Sequence, residues 1–383
     1  MSLEIGPEFA PPQPAVAAVT VRSPVRIAEP RSENAGPREP IAPIVTECRR
    51  IGIVRLSSLG DVIHTLPVAA ALRDHRPEAT IAWIVEEHEQ VLLGGNPMVD
   101  QLVVVPLRRW RRWAMAGRFA AIVGEMRDVR ARLRALRLDV TIDVQGWTHK
   151  TSPIVAMTRA PVRIGFDRAH ARHPWSTWFT THHVTPPPEA AHIVDQNLAL
   201  LRPLGIAARA RFVLPDWPES ERRVDEWLAA QGSQAAEPIV LLPSTRGRRK
   251  FWPAAAYAEL ARRLAEATGA TVALAASPWE QPLLDEIQTR AGTAKLLTYA
   301  PGPVTELARF LRRARLVVGN DTGPLHLAAM AGVPTIGLFG PTRGARNGPY
   351  GPVCSYIQSP SKRMSDISVD SVFAAASRVL FGS

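Results

Sequence analysis

The chain contains few cysteines and no long apolar run. Only Cys48 and Cys354 occur among its 383 residues, which excludes a disulfide framework and supplies no cysteine spacing for a metal. No stretch approaches the roughly 20 apolar residues that a transmembrane helix needs. The first residues also lack the basic start and apolar core of a signal peptide. We therefore expect a cytoplasmic protein.

Glycine-rich nucleotide fingerprints are absent as well. No segment matches GxGxxG or a Walker A loop, so the signatures of dinucleotide-binding and P-loop proteins are missing. No cluster of acidic residues has the character of a divalent-cation site. We expect neither a metal ion nor an organic cofactor.

Basic residues outnumber acidic residues, with 46 Lys and Arg against 35 Asp and Glu. The formal net charge of +11 and a sequence pI of about 10.6 indicate anionic partners. Nucleic acid, a phosphorylated substrate and an anionic membrane face all belong to that class. No zinc-finger or RNA-recognition spacing accompanies the charge. We therefore expect no nucleic-acid partner and favour a phosphorylated substrate or a membrane face.

The chain divides into four parts by composition and periodicity. Residues 1–47 are rich in Pro, Ala and Glu and predict a disordered leader. Short β-rich runs alternate with amphipathic segments over residues 48–207, and this alternation restarts within residues 208–360 after a weaker stretch near 205–220. Residues 361–383 contain a last amphipathic helix, which we expect to dock on the first domain.

This alternation is typical of α/β proteins in which parallel sheets carry helices on both faces. We therefore predict two Rossmann-like, doubly wound domains that face a central cleft. Open sheets of this kind bind ligands at the carboxyl ends of their strands. The turns between strands and helices are accordingly where functional residues are expected.

The first such turn lies in residues 55–67, RLSSLGDVIHTLP. Gly60 lets the backbone approach a ligand, and the small Ser58 leaves room beside it. Asp61 would lie near the positive end of a helix dipole, which favours the ionised carboxylate that a general base needs. Alternatively, Asp61 is only an N-cap. His64, one turn later, is either a second cleft residue or a packing residue.

The second turn lies in residues 317–334, VVGNDTGPLHLAAMAGVP. Free amides at the start of its helix, including those of Thr322 and Gly323, would form an anion site. A diphosphate fits such a site. Asp321 is placed to bind sugar hydroxyls, and His326 would point towards the same end. A capped structural helix is the alternative, which we favour less because small, polar and anion-binding groups coincide here.

A third turn lies in residues 241–253, LLPSTRGRRKFWP, where a strand ends just before two hydroxyl residues. Ser244 and Thr245 are followed by several basic residues, the last of which is Lys250. Basic groups at a strand end neutralise a leaving diphosphate. The alternative is a basic loop that only contacts solvent.

A fourth feature is the stretch PLRRWRRWAMAGRF at residues 106–119. Arg108, Arg109 and Arg111 alternate there with tryptophans. Arginine forks suit phosphates, and tryptophan prefers the membrane interface. We predict that this stretch meets acceptor phosphates and a membrane, and that the basic helix after it packs its apolar face in the core.

Taken in order, these motifs resemble those of the ADP-heptose lipopolysaccharide heptosyltransferases of glycosyltransferase family 9. WIVEE at 83–87, DVTIDVQG at 139–146 and FGPT at 339–342 extend the resemblance over nearly everything after Arg49. It implies a GT-B fold with an acceptor domain followed by a donor domain. It also implies inverting, metal-independent transfer of heptose from ADP-heptose to the Kdo of Kdo-lipid A, at the cytoplasmic face of the inner membrane.

The resemblance also implies roles for particular residues. Asp61 matches the general base, and Lys250 matches a lysine near the donor phosphates. The implied donor-binding residues are Ser244, Thr245, Glu280, Asp321, Thr322, Gly323 and His326. The residues assigned to the anionic glycolipid acceptor are Ser58, Gly60, Arg108, Arg109 and Arg111.

Other functions stay open at this point. A related glycosyltransferase with another donor or acceptor would carry the same motifs. A nucleotide-sugar 2-epimerase on the same fold needs no membrane acceptor, so the arginine–tryptophan stretch would have no role. A non-catalytic nucleotide-sugar or lipid-binding protein would not need the carboxylate of Asp61.

Overall fold

The computed structural model describes residues 48–232, 237–292, 294 and 296–382. The predicted leader, residues 1–47, lies outside these residues. Two separate six-stranded parallel sheets, each flanked by helices, organise the described chain. The prediction of an α/β protein with two Rossmann-like units is confirmed.

The first unit forms around strands β1 (Arg50–Val54), β2 (Thr80–Glu86), β3 (Gln101–Val105), β4 (Val140–Asp143), β5 (Val162–Phe166) and β6 (His182–Val184). Its helices are α1 (Leu59–Ile63), α2 (Leu66–His75), α3 (Leu107–Met115), α4 (Phe119–Ala135), α5 (Thr151–Thr158) and α6 (Ile193–Ala199). The strands pair in the order β3-β2-β1-β4-β5-β6. Val54, at the end of β1, is level with Ile84 on one side and Asp143 on the other.

The second unit begins with helix α7 (Pro218–Gln231), after residues 206–217, which form no helix or strand. Its strands are β7 (Ile239–Leu242), β8 (Val272–Ala275), β9 (Leu296–Tyr299), β10 (Leu316–Asn320), β11 (Thr335–Phe339) and β12 (Cys354–Gln358). Its other helices are α8 (Ala254–Thr268), α9 (Gln281–Arg290), α10 (Val304–Leu311), α11 (Gly323–Met330), α12 (Gly344–Asn347) and α13 (Val369–Phe381). The strands pair in the order β12-β11-β10-β7-β8-β9.

The two units repeat one strand order. Counted from the first strand of each unit, both sheets follow 3-2-1-4-5-6. In that order the winding of the chain reverses between the first and fourth strands, and ligands bind outside the carboxyl ends of the strands at the reversal. The fold therefore places a candidate site at the turns after β1 and β4 in one unit and after β7 and β10 in the other.

The central strands form because short apolar runs are buried on both faces, as parallel sheets require. All five residues of β10 and of β11 are buried, and so are the last four of β1. The cores are closed by apolar faces of the surrounding helices, and one apolar cluster includes residues of both units. Within the described residues, no helix has both the length and the apolar character needed to cross a membrane.

The last helix, α13, packs on the second unit, against α8 and β10. Arg263 of α8 pairs with Asp370 at 2.7 Å, and its guanidinium lies 4.3 Å from the ring centroid of Phe373. The expectation that this helix docks on the first domain is therefore wrong. Its apolar face completes the layer of helices on the second sheet instead.

Candidate active site between the two units

The first turns of α1 and α11 touch where the two units meet. A Cβ atom at Gly60 would lie 2.9 Å from His326 Cδ2, and one at Gly323 would lie 2.6 Å from Leu59 Cδ2. Only glycine permits so close an approach without displacing a neighbour. The contact brings the turn after β1 and the turn after β10 to the same place, as the sequence predicted for a shared cleft.

Asp61 has its partners on its own unit. Arg55 Nη2 lies 2.5 Å from Asp61 Oδ1, and both the amide and the hydroxyl of Ser58 donate to Oδ2 at 3.0 Å. Its side chain is still 40% exposed, so a substrate can reach it. Burial acts to raise the pKa of Asp61, but the Arg55 charge and the Ser58 hydrogen bonds outweigh it and lower that pKa.

Arg55 was not predicted from the sequence, although it directly follows a strand. It is buried, and its Nη1 donates to the Val144 carbonyl at 3.0 Å, which fixes the guanidinium beside Asp61. The second unit adds Arg346, which interacts electrostatically with Asp61, Arg55 and Arg172. The cleft around Asp61 is therefore strongly cationic, which suits anionic substrates.

Asp321 directly follows β10 of the second unit and has more partners than Asp61. Its Oδ2 accepts from Lys250 Nζ at 2.6 Å and from the Thr342 hydroxyl at 2.8 Å. Its Oδ1 faces His326 Nε2 at 3.8 Å, and its side chain is only 11% exposed. Burial acts to raise the pKa of Asp321, but His326 and Lys250 outweigh it and hold that pKa well below its usual range.

Other predicted donor residues gather at neighbouring strand ends of the second unit. The Ser244 hydroxyl lies 2.5 Å from both carboxylate oxygens of Glu280, so Glu280 is next to the turn after β7. The Thr245 hydroxyl donates to the Asp321 carbonyl at 3.4 Å. Thr322 is the N-cap of α11, whose first-turn amides have no partner within the helix. These residues therefore form one surface.

Histidines link the two units behind this surface. His64 Nε2 lies 3.2 Å from His326 Nδ1, and both side chains are buried. Burial, followed by the charges of His326 and His192, holds the pKa of His64 well below its ordinary value, so His64 is neutral. When His64 donates to His326 Nδ1, the N–H of His326 is left on Nε2, facing Asp321. His64 is thus buried where the two units meet, which agrees with the packing role that the sequence left open.

The arginine–tryptophan stretch is helix α3, and its arginines differ in their surroundings. Arg108 pairs with Glu86 at 3.2 Å and Glu89 at 3.1 Å, and Arg109 pairs with Glu125 at 2.7 Å. Arg108 and Arg111 line a groove of about 680 Å³ that we call the α3 groove. Its full lining is Glu86, Glu87, His88, Arg108, Arg111, Arg112 and Met115. Arg109 does not line it.

The two tryptophans of α3, which the sequence suggested as membrane anchors, differ in exposure. Trp110 is buried, and its indole N–H donates to Glu125 at 2.7 Å. Trp113 is partly buried, with the Arg118 guanidinium 5.1 Å from its ring centroid. The prediction for the following helix was partly wrong, because its first turns expose Phe119.

Glu89 is an unexpected member of this region. It is fully buried, and one of its carboxylate oxygens has no hydrogen-bond partner among the described residues. Burial raises the pKa of Glu89 to about 7, with Arg108 opposing the shift and Glu86 adding to it. The sequence signal was its position, two residues beyond the WIVEE motif that ends β2.

Thiol and metal-ligand groups are sparse in the described part of the chain. Cys48 and Cys354 are both free and buried, and burial raises the pKa of Cys354 to about 12. Within the same residues, no three His, Cys, Asp or Glu side chains are grouped as metal ligands would be. The groups that the site does offer are carboxylates, hydroxyls and cations.

The chain is similar to proteins of one family. The model of "Glycosyltransferase family 9 (heptosyltransferase)" matches residues 126–375. Lipopolysaccharide heptosyltransferase 1 of Pseudomonas aeruginosa is 32% identical over 306 residues, which cover 79% of this chain and 81% of that protein. The enzyme of the same name from Salmonella typhimurium is 30% identical over 331 residues, covering 85% and 98%.

The solved structure of E. coli heptosyltransferase WaaC with ADP has the same architecture. It superposes with a TM-score of 0.71 at 26% identity, covering 86% of this chain and 99% of that one. The GT-B fold predicted from the motifs is confirmed, and so is the resemblance on which it depended. Because the family model matches more than half of the residues, the chain belongs to glycosyltransferase family 9.

Proposed function

We propose that the protein is an inverting, metal-independent heptosyltransferase that moves heptose from ADP-heptose to the Kdo of Kdo-lipid A. One observation carries the proposal: Asp61 of one unit lies across a shared junction from the Asp321–Lys250 pair of the other. The relatives named lipopolysaccharide heptosyltransferase 1 support this substrate class. So does the similarity to WaaC, which was solved with ADP.

The reaction is a single displacement at the anomeric carbon. Asp61 accepts the proton of an acceptor hydroxyl while that oxygen forms a bond to C1 of the heptose. The bond between C1 and the diphosphate oxygen breaks, and ADP leaves with its electron pair. Attack from the side opposite ADP inverts the configuration. Because Arg55 and Ser58 lower the pKa of Asp61, the base is already ionised at neutral pH.

The second unit supplies the donor site. Lys250 and the first-turn amides of α11, including those of Thr322 and Gly323, offset the negative charge that grows on departing ADP. Asp321 holds Lys250 in place and faces the sugar, together with His326. Ser244, Thr245 and Glu280 form the adjacent surface, which suits nucleoside hydroxyls and phosphates.

The first unit supplies the acceptor site, with Ser58 and Gly60 beside the base. Arg108, Arg109 and Arg111 are assigned to acceptor phosphates, and Arg111 is the one among them without an ion pair in the described residues. Arg111→Ser should raise the Michaelis constant for the acceptor by roughly fivefold and leave that for the donor unchanged. Arg315→Ser, exposed just before β10, is the control. If both variants had the same Michaelis constant for the acceptor, Arg111 would not belong to the acceptor site.

The proposed location is the cytoplasmic face of the inner membrane, where a peripheral enzyme would meet this acceptor. The test of function is ADP release from ADP-heptose, with and without Kdo-lipid A. Release that depends on the acceptor and persists in EDTA is the expected result. Conversion of the nucleotide sugar without an acceptor would indicate an epimerase. Binding without any turnover would indicate a non-catalytic protein.

A further inference from the structure

The turn that joins α3 to α4 carries an exposed apolar surface, here named the hairpin tip, which comprises residues 114–120 and Val123. Every residue from 114 to 120 is exposed, and the sequence there, AMAGRFA, has a single charged residue. Met115, Phe119 and Val123 are its large side chains, at 72%, 63% and 47% exposure. Grouped apolar side chains on a surface mark an interaction site more often than scattered ones do.

The hairpin tip is exposed because only the later turns of α4 pack on the core. Val129 and Leu133, in its later turns, are buried. Phe119 and Val123 lie one turn apart near its start and face solvent together. Gly117 adopts a φ of 69°, which permits the tight reversal between the helices. The first turns of α4 therefore carry apolar side chains that the core does not use.

Arginines lie in and beside the tip, and Arg111, Arg112, Arg118 and Arg127 are exposed. None of them is paired with a carboxylate in the described part of the chain, unlike Arg108 and Arg109. Glu125 is already occupied by Arg109 and Trp110, which leaves Asp128 as the exposed acid of this helix pair. The charge around the tip is therefore positive.

An apolar tip beside arginines that have no carboxylate partner matches the apolar and anionic character of one kind of partner. The apolar side chains match the acyl boundary of a bilayer, and the arginines match anionic headgroups. A protein partner would need a shaped apolar groove for the tip and acidic residues around that groove. The position of the tip also matters, because Met115 belongs both to the tip and to the lining of the α3 groove.

We propose that the hairpin tip inserts into the interfacial region of an anionic lipid bilayer, with the adjacent arginines on the headgroups. Insertion places the α3 groove at headgroup level, where the sugars of a glycolipid leave the membrane. The inference rests on the proposed function in one respect, because placing the α3 groove at the headgroups serves a purpose only if the acceptor is a glycolipid. The insertion itself is a property of the tip and is measured without donor or acceptor.

The first unit offers one rival surface. Trp175 and Trp178 are exposed and contact each other edge-on, with ring centroids 4.8 Å apart. The Arg168 guanidinium lies 5.3 Å from the Trp175 ring centroid. This tryptophan pair is an alternative membrane-contacting surface, because exposed tryptophans beside an arginine also suit a membrane interface.

The experiment measures binding of the full chain to vesicles of phosphatidylglycerol and phosphatidylethanolamine by co-sedimentation. The test variant is Phe119→Ser/Val123→Ser. The matched control is Phe381→Ser/Val379→Ser, the same residue types on α13 of the other unit, at 55% and 39% exposure. A third variant, Trp178→Ser, covers the rival surface. Vesicles of phosphatidylcholine alone provide the uncharged comparison.

Wild type should bind the anionic vesicles, less tightly as salt rises, and should bind phosphatidylcholine weakly. The tip variant should bind anionic vesicles roughly tenfold more weakly, while the control and Trp178→Ser should match wild type. Transfer to a deacylated, soluble acceptor should be unaffected in the tip variant. Such transfer would fail in every sample, wild type included, if the proposed function were wrong, and vesicle binding would still be measurable.

Three results would overturn the inference. Wild type and the tip variant could bind anionic vesicles equally. Trp178→Ser, rather than the tip variant, could lose binding. Wild type could also form a dimer that the tip variant does not form, without binding vesicles, which would make the tip a contact between copies of this chain.

Discussion

Two carboxylates, Asp61 after β1 and Asp321 after β10, each follow one of the two central strands between which the winding of their sheet reverses, yet their surroundings differ. Asp61 is held by Arg55 and Ser58, residues of its own turn, and stays accessible. Asp321 is nearly buried, and its partners come from two other turns of the second sheet. The same edge of the two sheets thus carries one carboxylate that a substrate can reach and another that organises its neighbours.

The difference separates two requirements of group transfer. A general base must exchange a proton with the acceptor, so it needs an open face and fixed support from behind. A donor site must hold a cation against a diphosphate before the reaction begins, which favours a buried and fully bonded carboxylate. The predictions that follow test this division, beginning with the largest effect.

Loss of Asp61 should be the most damaging change. Asp61→Ala removes the proton acceptor, so the turnover number should fall by ~10²–10⁴-fold, the usual range for losing a general base. The Michaelis constant for ADP-heptose should change little, because no donor contact is removed. Steady-state assays of ADP release give both values. Turnover close to wild type would show that Asp61 is only a cap of α1.

Changes on the Asp321 side should affect the donor instead. Asp321→Asn removes the charge that holds Lys250, so affinity for ADP should fall roughly tenfold. Gly323→Val places a side chain against Leu59 and should lower the affinity for ADP as well. Calorimetric titration with ADP measures both variants. Wild-type affinity in both of them would move the donor site away from this turn.

Substitution of His64, which contacts His326 of the other unit, should have a smaller effect on use of the donor. His64→Leu leaves His326 Nδ1 without its partner, so the Michaelis constant for the donor should rise about threefold to tenfold. His64→Gln retains a donor group at the position of Nε2 and should restore most of the loss. Should both variants behave alike, His64 serves only to fill space between the units.

The smallest effect should be a shift in pH dependence. The Arg55 charge lowers the pKa of Asp61, so Arg55→Gln should raise that pKa. The acid limb of the kcat/KM profile should then move to higher pH, because more Asp61 is protonated at a given pH. A profile that does not move would mean that the acid limb reports a group other than Asp61.

Much of the fold followed from sequence patterns. The strands Ile239–Leu242 and Leu316–Asn320 are short apolar runs bounded by turn residues, and the turns predicted at 241–253 and 317–334 lie at their ends. The short strand His182–Val184 could not be predicted in this way, because three mixed residues carry no period. The placement of the last helix was wrong because an amphipathic pattern shows that a face is buried, not which surface buries it.

The site was predictable where function depends on local chain geometry. Gly60 and Gly323 stood out because glycine at a strand-to-helix turn indicates close approach. Arg55 and Thr342 were missed because their importance lies in contacts across the fold. The sequence also could not show which arginines of α3 are ion-paired, because the partners of Arg108 come from the end of a neighbouring strand.

We have proposed that Asp61 performs the chemistry and that the Asp321 side holds the donor. The most direct measurement compares Asp61→Asn with wild type in two ways, by single-turnover transfer from bound ADP-heptose and by titration with ADP. We expect a transfer rate lower by at least about 100-fold with ADP affinity unchanged. An unchanged transfer rate, or a loss of ADP affinity that accounts for the lost rate, would contradict the proposal.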